Sequence, residues 1–184
     1  MKKTIDKGVI RKKILELRKG MTPIAVRAKS KKIIDLLFST PEFNKARSIF
    51  TYLSFDNEVM TDKIVKSAKK IYVPSVSGDN ICICNYSDKL KKNMYGIHEP
   101  EEIIEPKDEI DIAIVPGVAF DKNLNRIGFG KAFYDKLLKD KHMIKIGLCF
   151  DFQIVDNIPK ENHDIPMDIV ITEQRIIRLS DIQE

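Results

Sequence analysis

Residues 110–138 read IDIAIVPGVAFDKNLNRIGFGKAFYDKLL, and the fold is decided there. Ile110–Val115 is an apolar run with almost no polar residue. That pattern belongs to a strand covered on both faces, as in a parallel sheet. A long glycine-bearing connection, Pro116–Gly128, follows, and a helix is expected from about Gly130 to Lys139. A buried strand running through a glycine loop into a helix is the unit of α/β proteins, in which ligands sit at the carboxyl ends of strands.

The flanking sequence repeats this alternation. Ile10, Ile14 and Leu17 recur at helical spacing, predicting a basic amphipathic helix from about Thr4 to Lys19. Thr22-Pro23 is a cap-plus-N1 signal for a second helix, which Pro41 ends. Arg47–Leu53 reads as a strand, Ser54–Asn57 as a turn and Thr61–Lys70 as a third helix. Ile71–Val73 and Asn80–Asn85 are further apolar runs; Ile144–Cys149 and Met167–Thr172 are expected strands, and Ile176–Leu179 an edge pairing. The expectation is one α/β domain over residues 1–184, with a largely parallel, twisted sheet flanked by helices.

A chain of 184 residues with 43% apolar content has enough material for a substantial core. Its three cysteines, Cys82, Cys84 and Cys149, form neither a disulfide framework nor paired zinc knuckles, and read as reduced thiols. No membrane-length apolar run or signal-peptide pattern is present, so a cytoplasmic location is expected, with an organellar one left open. The net charge of +5 suits an anionic ligand without choosing among nucleic acid, polyphosphate and polycarboxylate.

The loop after Val115 carries the chemistry. Gly128 and Gly130 let the backbone approach an anion closely, and a following helix start offers free N–H groups. Arg126 and Lys131 add charge, Arg126 with a fork suited to phosphate oxygens, and as a loop residue it is not expected to be buried. Asp135, in the first turns of the helix, is placed for a magnesium ion carried by phosphates. The alternative is that the glycines only shape a turn and Asp135 pairs with Lys139. The spacing is neither a Walker A loop nor a dinucleotide fingerprint, since Ala132 follows Lys131 and Phe133 holds the third glycine's place.

This stretch resembles the signature of the 5-formyltetrahydrofolate cyclo-ligases, P-G-x-A-F-D followed by R-x-G-x-G-K-G-Y-Y-D. Here it reads Pro116, Gly117, Ala119, Phe120, Asp121, then Arg126, Gly128, Gly130, Lys131, Tyr134, Asp135. Ala132 stands where glycine is usual, and Phe133 where the first tyrosine is usual. Lys7-x-x-Ile10-Arg11 followed by Arg18 is similar to the family's N-terminal element, which contacts ATP phosphates; read alone, it is equally a solvated basic face. Tyr52-Leu53-Ser54 with Glu58-Val59 and Thr61 resembles the segment that binds the pterin. Tyr95–Pro100 is similar to the family's G-I-x-E-P turn near the ligand, with His98 at its variable position. His163-Asp164 through Met167-Asp168-Ile169-Val170 resembles a closing segment in which an aspartate before a short strand holds the metal, though Asp168 could instead cap that strand.

The resemblance implies ATP- and magnesium-dependent cyclisation of 5-formyltetrahydrofolate, polyglutamylated forms left open, to 5,10-methenyltetrahydrofolate. It implies Arg126 and Lys131 as catalytic groups, and Lys7, Arg11, Arg126, Gly128, Gly130, Lys131 and Tyr134 around ATP. Leu53, Glu58, Phe129, Phe133 and Tyr134 would line the folate pocket, with Asp135 and Asp168 sharing one magnesium ion. Folate and ATP would be the partners of a monomer, without nucleic acid or membrane. The absence of a nucleophile–base motif agrees, because the folate's own N10 would attack the activated carbon. Two other readings stand beside it, a small basic nucleic-acid-binding domain and another ATP-dependent kinase-like enzyme of this fold class. The first accounts for the charge, but not for an apolar strand running into Gly-x-Gly-Lys.

Overall fold

The computed structural model describes residues 6–77 and 80–179. Thr4 and Ile5, the expected start of the first helix, lie outside the described residues. Helix α1, Lys7–Lys19, is capped by the Asp6 carboxylate, which accepts from the Gly8 amide at 2.7 Å. Helix α2 is Pro23–Ser39, with Thr22 at its N-cap. Pro41 closes α2 and also opens α3, Pro41–Lys45, because proline is tolerated in a first helical turn and not in an interior.

The strands that follow are β1 Ser48–Thr51, β2 Lys70–Ser77, β3 Asn80–Asn85, β4 Leu90–Lys92, β5 His98–Pro100 and β6 Ile112–Pro116. Then come β7 Ala119–Asp121, β8 Arg126–Ile127, helix α5 Phe133–Leu138, β9 Ile144–Leu148, β10 Ile154–Val155, β11 Ile169–Ile171 and β12 Ile176–Arg178. Between β1 and β2 the expected ten-residue helix shrinks to α4, Asp62–Val65. Pairing wins there: the Lys70 amide donates to Arg47 O at 3.0 Å and draws its residue into β2.

Seven strands form the main sheet in the order β12-β11-β9-β6-β1-β2-β3. The five central strands run parallel, and each edge strand is antiparallel to its neighbour. The α/β class and the largely parallel sheet are as the sequence predicts. Alternation along β6 divides the core: Ile112 and Ile114 face α2 and α3 through Ile33, Leu37 and Phe43, while Ala113 and Val115 face Phe120, Leu124 and Leu138. The Pro116–Gly128 connection is not a plain loop, for β7 and β8 form a hairpin within it and β10 joins as a third strand. Helix α1 docks on this small sheet, Ile10 and Ile14 packing with Val118, Ala119, Ile127 and Ile158.

Candidate active site

The main sheet has a switch point at β1. Its sequence neighbour β2 lies on one side, and β6, which begins the run β6-β9-β11, lies on the other. Strands diverging in this way leave a crevice outside their carboxyl ends. A cavity of about 520 Å³ lies there, walled by Tyr52 and Leu53 after β1, Pro74 and Val76 of β2, and Pro116 at the end of β6.

One end of the cavity is cationic. Lys7 donates to Asp164 at 2.6 Å and lies 3.2 Å from Glu161; Arg11 Nε donates to Gly128 O at 2.9 Å. Burial raises the cost of a charge on Asp164, but the bonds from Lys7 and the Glu161 amide outweigh it and hold the carboxyl below its usual range. The loop 128–132 crosses this end. Among the described residues its amides donate to no protein acceptor, so they stay free for an anion. Gly128 leaves room for the Arg126 guanidinium, since a Cβ there would meet Nη1 at 2.8 Å and push it aside. Gly130 has φ +101°, a conformation open to glycine. Helix α5 begins only at Phe133, later than expected, so Gly130 and Lys131 belong to the loop. Ala132 takes φ +51°, the left-handed region, at the position where the signature has glycine.

Arg126 departs from expectation. Its side chain is 4% exposed, and Nη2 meets the Asp135 carboxylate at 2.9 Å. Nη1 donates to Pro116 O at 3.3 Å, and buried Nε has no partner. Its burial follows from the β7–β8 pairing, which the polar run DKNLN conceals. Asp135 therefore pairs with Arg126 and not with Lys139, and its other oxygen accepts from the Ile165 amide at 3.1 Å.

The other end is mostly apolar. Leu53, Phe129, Phe133 and Tyr134 line it, and Glu58 sits among them. Removal from water pushes the Glu58 carboxyl up to about 7, against the opposing Phe55 amide and the Arg18 charge. Tyr95 reaches across from the β4–β5 turn, its hydroxyl accepting from Lys131 Nζ.

All the proposed site residues except one meet at this cavity. The exception is Asp168. Its carboxylate accepts from the Lys145 amide at 2.7 Å and pairs with the same lysine's ammonium at 2.8 Å. Asp168 precedes β11, level with the start of β9, whereas Pro116 pairs with Leu148 at the far end of that strand. Three residues of strand, about 10 Å, separate the two levels. Asp135 and Asp168 do not converge. Asp164 takes that place, beside Ile165 and next to Asp135, and Glu161, His163 and Asp164 bring their ligand atoms within 4.8 Å of one another. Of the aspartates in the closing segment 163–170, the structure brings Asp164 and not Asp168 to the cavity. Arg18, left out of its site residues, also lines the cavity.

A profile of the 5-formyltetrahydrofolate cyclo-ligase family matches residues 3–173. A protein named 5-formyltetrahydrofolate cyclo-ligase from Haemophilus influenzae is 32% identical over 178 residues, covering 88% of this chain and 95% of the relative. The NMR structure of 5,10-methenyltetrahydrofolate synthetase from Aquifex aeolicus superposes with a TM-score of 0.83 at 34% identity, covering 94% of this chain and 92% of that one. A 5,10-methenyltetrahydrofolate synthetase from Mycoplasma pneumoniae superposes with a TM-score of 0.72 at 26% identity, covering 92% and 99%. With its motifs gathered around one cavity and its family profile matched over nearly its whole length, the chain belongs to the 5-formyltetrahydrofolate cyclo-ligase family.

Proposed function

We propose that this protein cyclises 5-formyltetrahydrofolate to 5,10-methenyltetrahydrofolate, using ATP and magnesium and releasing ADP and phosphate. The observation that carries the proposal is the cavity itself, where unpaired loop amides and a row of cations adjoin an apolar cleft that holds the Glu58 carboxylate. In the reaction the formyl oxygen takes the γ-phosphoryl group as its bond to ADP breaks. N10 of the folate then attacks the formyl carbon, its proton leaves, and phosphate departs with the oxygen. An N-formyl oxygen is a poor leaving group, and phosphorylation makes it a good one.

The residues fit that chemistry. Lys7, Arg11, Arg126 and Lys131, with the amides around Gly128 and Gly130, are suited to phosphate oxygens, and the orphaned Arg126 Nε agrees with a missing acceptor. Leu53, Glu58, Phe129, Phe133 and Tyr134 would enclose the folate ring. Asp135 and Asp164 would hold magnesium, which neutralises phosphate charge when bound. No thiol is fit to act as a nucleophile: burial pushes Cys84 up to about 12 and raises Cys82 and Cys149.

The test is to incubate the purified protein with magnesium-ATP, with and without 5-formyltetrahydrofolate. ADP should appear only with folate, in equal amount to the methenyl product. ATP turnover independent of folate would point to the kinase-like reading, and no turnover in either case would dismiss both.

A further inference from the structure

Three cations of α1, at positions 7, 11 and 18, lie on one face of the helix and line the same cavity. From Lys7 to Arg18 is eleven residues, or about 16 Å of helix rise, so Arg18 is set well apart from the Lys7–Asp164 pair. Its surroundings differ too. It is 3% exposed, its guanidinium carbon lies 5.5 Å from the Phe129 ring centroid, and its charge acts on Glu58 and Tyr52. Buried Nε has no partner, and no described carboxylate forms an ion pair with the guanidinium. A buried guanidinium nitrogen without an acceptor is costly, and a ligand acceptor in the cavity would offset that cost. Glu58 is in a matching state, since among the described residues its carboxylate takes only the Phe55 amide.

We propose that Arg18 and Glu58 together read the amide edge of a 2-amino-4-oxopteridine, Glu58 accepting from N2 and N3 and Arg18 donating to O4. This rests on the folate reading above and adds a specificity residue to it. A carboxylate beside a separate guanidinium presents acceptors next to donors, which complements the donor–donor–acceptor edge of such a ring. A 2,4-diaminopteridine has a donor where O4 would be and no hydrogen on N3, so it turns a donor toward Arg18 and leaves Glu58 only the N2 donor. The resemblance assigned Arg18 to an element that contacts ATP; the geometry moves it to the folate end.

The experiment measures dissociation constants by calorimetry for 5-formyltetrahydrofolate, for a 2,4-diaminopteridine folate analogue and for a non-hydrolysable ATP analogue. The proteins are the full chain, Arg18→Met and Arg18→Gln. Arg18→Met should weaken the 4-oxo ligand ~10–100-fold, as for a lost charged donor, and leave the 4-amino ligand and the ATP analogue within about threefold. Arg18→Gln, whose amide turns to donate or accept, should bind both folates and narrow their ratio, Glu58 still favouring the ring that keeps N3–H. Neither variant should melt lower than the parent, because an unpaired buried charge is removed. Equal weakening of both folates, a loss confined to the ATP analogue, or no change would overturn the assignment while leaving the folate reading intact. Failure of the parent protein to bind 5-formyltetrahydrofolate would overturn both.

Discussion

Replacing Asp135 by asparagine perturbs the ion pair that holds Arg126 in the cavity wall. The partners are 2.9 Å apart with side chains 4% and 13% exposed, so water screens them little. At an effective dielectric of ~20, unit charges about 4 Å apart attract by roughly 4 kcal/mol. Asparagine keeps an oxygen for the Ile165 amide or for Arg126, which offsets part of that loss. What remains is a guanidinium that still donates to Pro116 O at 3.3 Å. We expect the ligand-free protein to lose about 2–4 kcal/mol, or about 5–15 °C in melting temperature for a chain of this size. Asp168→Asn is the control, because its carboxylate is 44% exposed and its partner Lys145 lies away from the cavity. That change should cost about 1 kcal/mol. Activity is then titrated with free magnesium. Asp135→Asn should shift the activation curve by on the order of tenfold, and Asp168→Asn should leave it in place. Equal shifts in the two variants, or an Asp135→Asn protein as stable as its parent, would refute the geometry argued here.

Glu58, raised to about 7 chiefly by burial, gives a pH prediction. A raised carboxyl holds its proton in the folded state, so the stability it confers is complete below its ordinary value and is lost as pH rises through 7. Folate binding runs the opposite way. It needs the ionised form, so affinity for 5-formyltetrahydrofolate should fall roughly tenfold from pH 8 to pH 6; a profile as flat as that of Glu58→Gln would sink this. Replacing Cys82, Cys84 and Cys149 together by alanine should preserve turnover with some loss of stability, since all three are free and shielded. Complete inactivation of a folded triple variant would contradict it. Ala132→Gly should stabilise the protein by about 1 kcal/mol in chemical denaturation, because φ +51° disfavours a Cβ. A destabilised variant would mean that the loop takes another conformation.

The architecture was legible because IDIAIV is apolar except for Asp111 and the glycine loop follows at once. Most boundaries followed from caps, as with Thr22-Pro23. The β7–β8 hairpin was not legible, since strands of three and two residues around DKNLN carry no periodic pattern. Its burial of Arg126 was hidden with it. The placement of Asp168 away from the cavity was hidden for a different reason. Asp164 and Asp168 both precede a short strand, and sequence alone does not say which one turns back toward the loop. One signal was present: a residue just before a parallel strand lies at the amino edge, whereas ligands gather at the carboxyl edge. The place of Arg18 was out of reach, because helical spacing puts it on the face of Lys7 and Arg11 without revealing which end of the cavity it meets.

The docking of α1 also has a consequence for synthesis. Its apolar face packs with Val118, Ala119, Ile127 and Ile158, and Lys7 meets Asp164 across 157 residues of chain. At ~5–20 residues per second, about 8–30 s pass between the appearance of the two partners at the ribosome. Until Val118, Ala119 and Ile127 appear, Ile10 and Ile14 lack the native surface that covers them, and until Asp164 appears Lys7 lacks that counter-charge. The cationic end of the cavity is thus begun first and finished almost last, and a nascent chain halted before Asp164 carries a basic helix still waiting for its pocket.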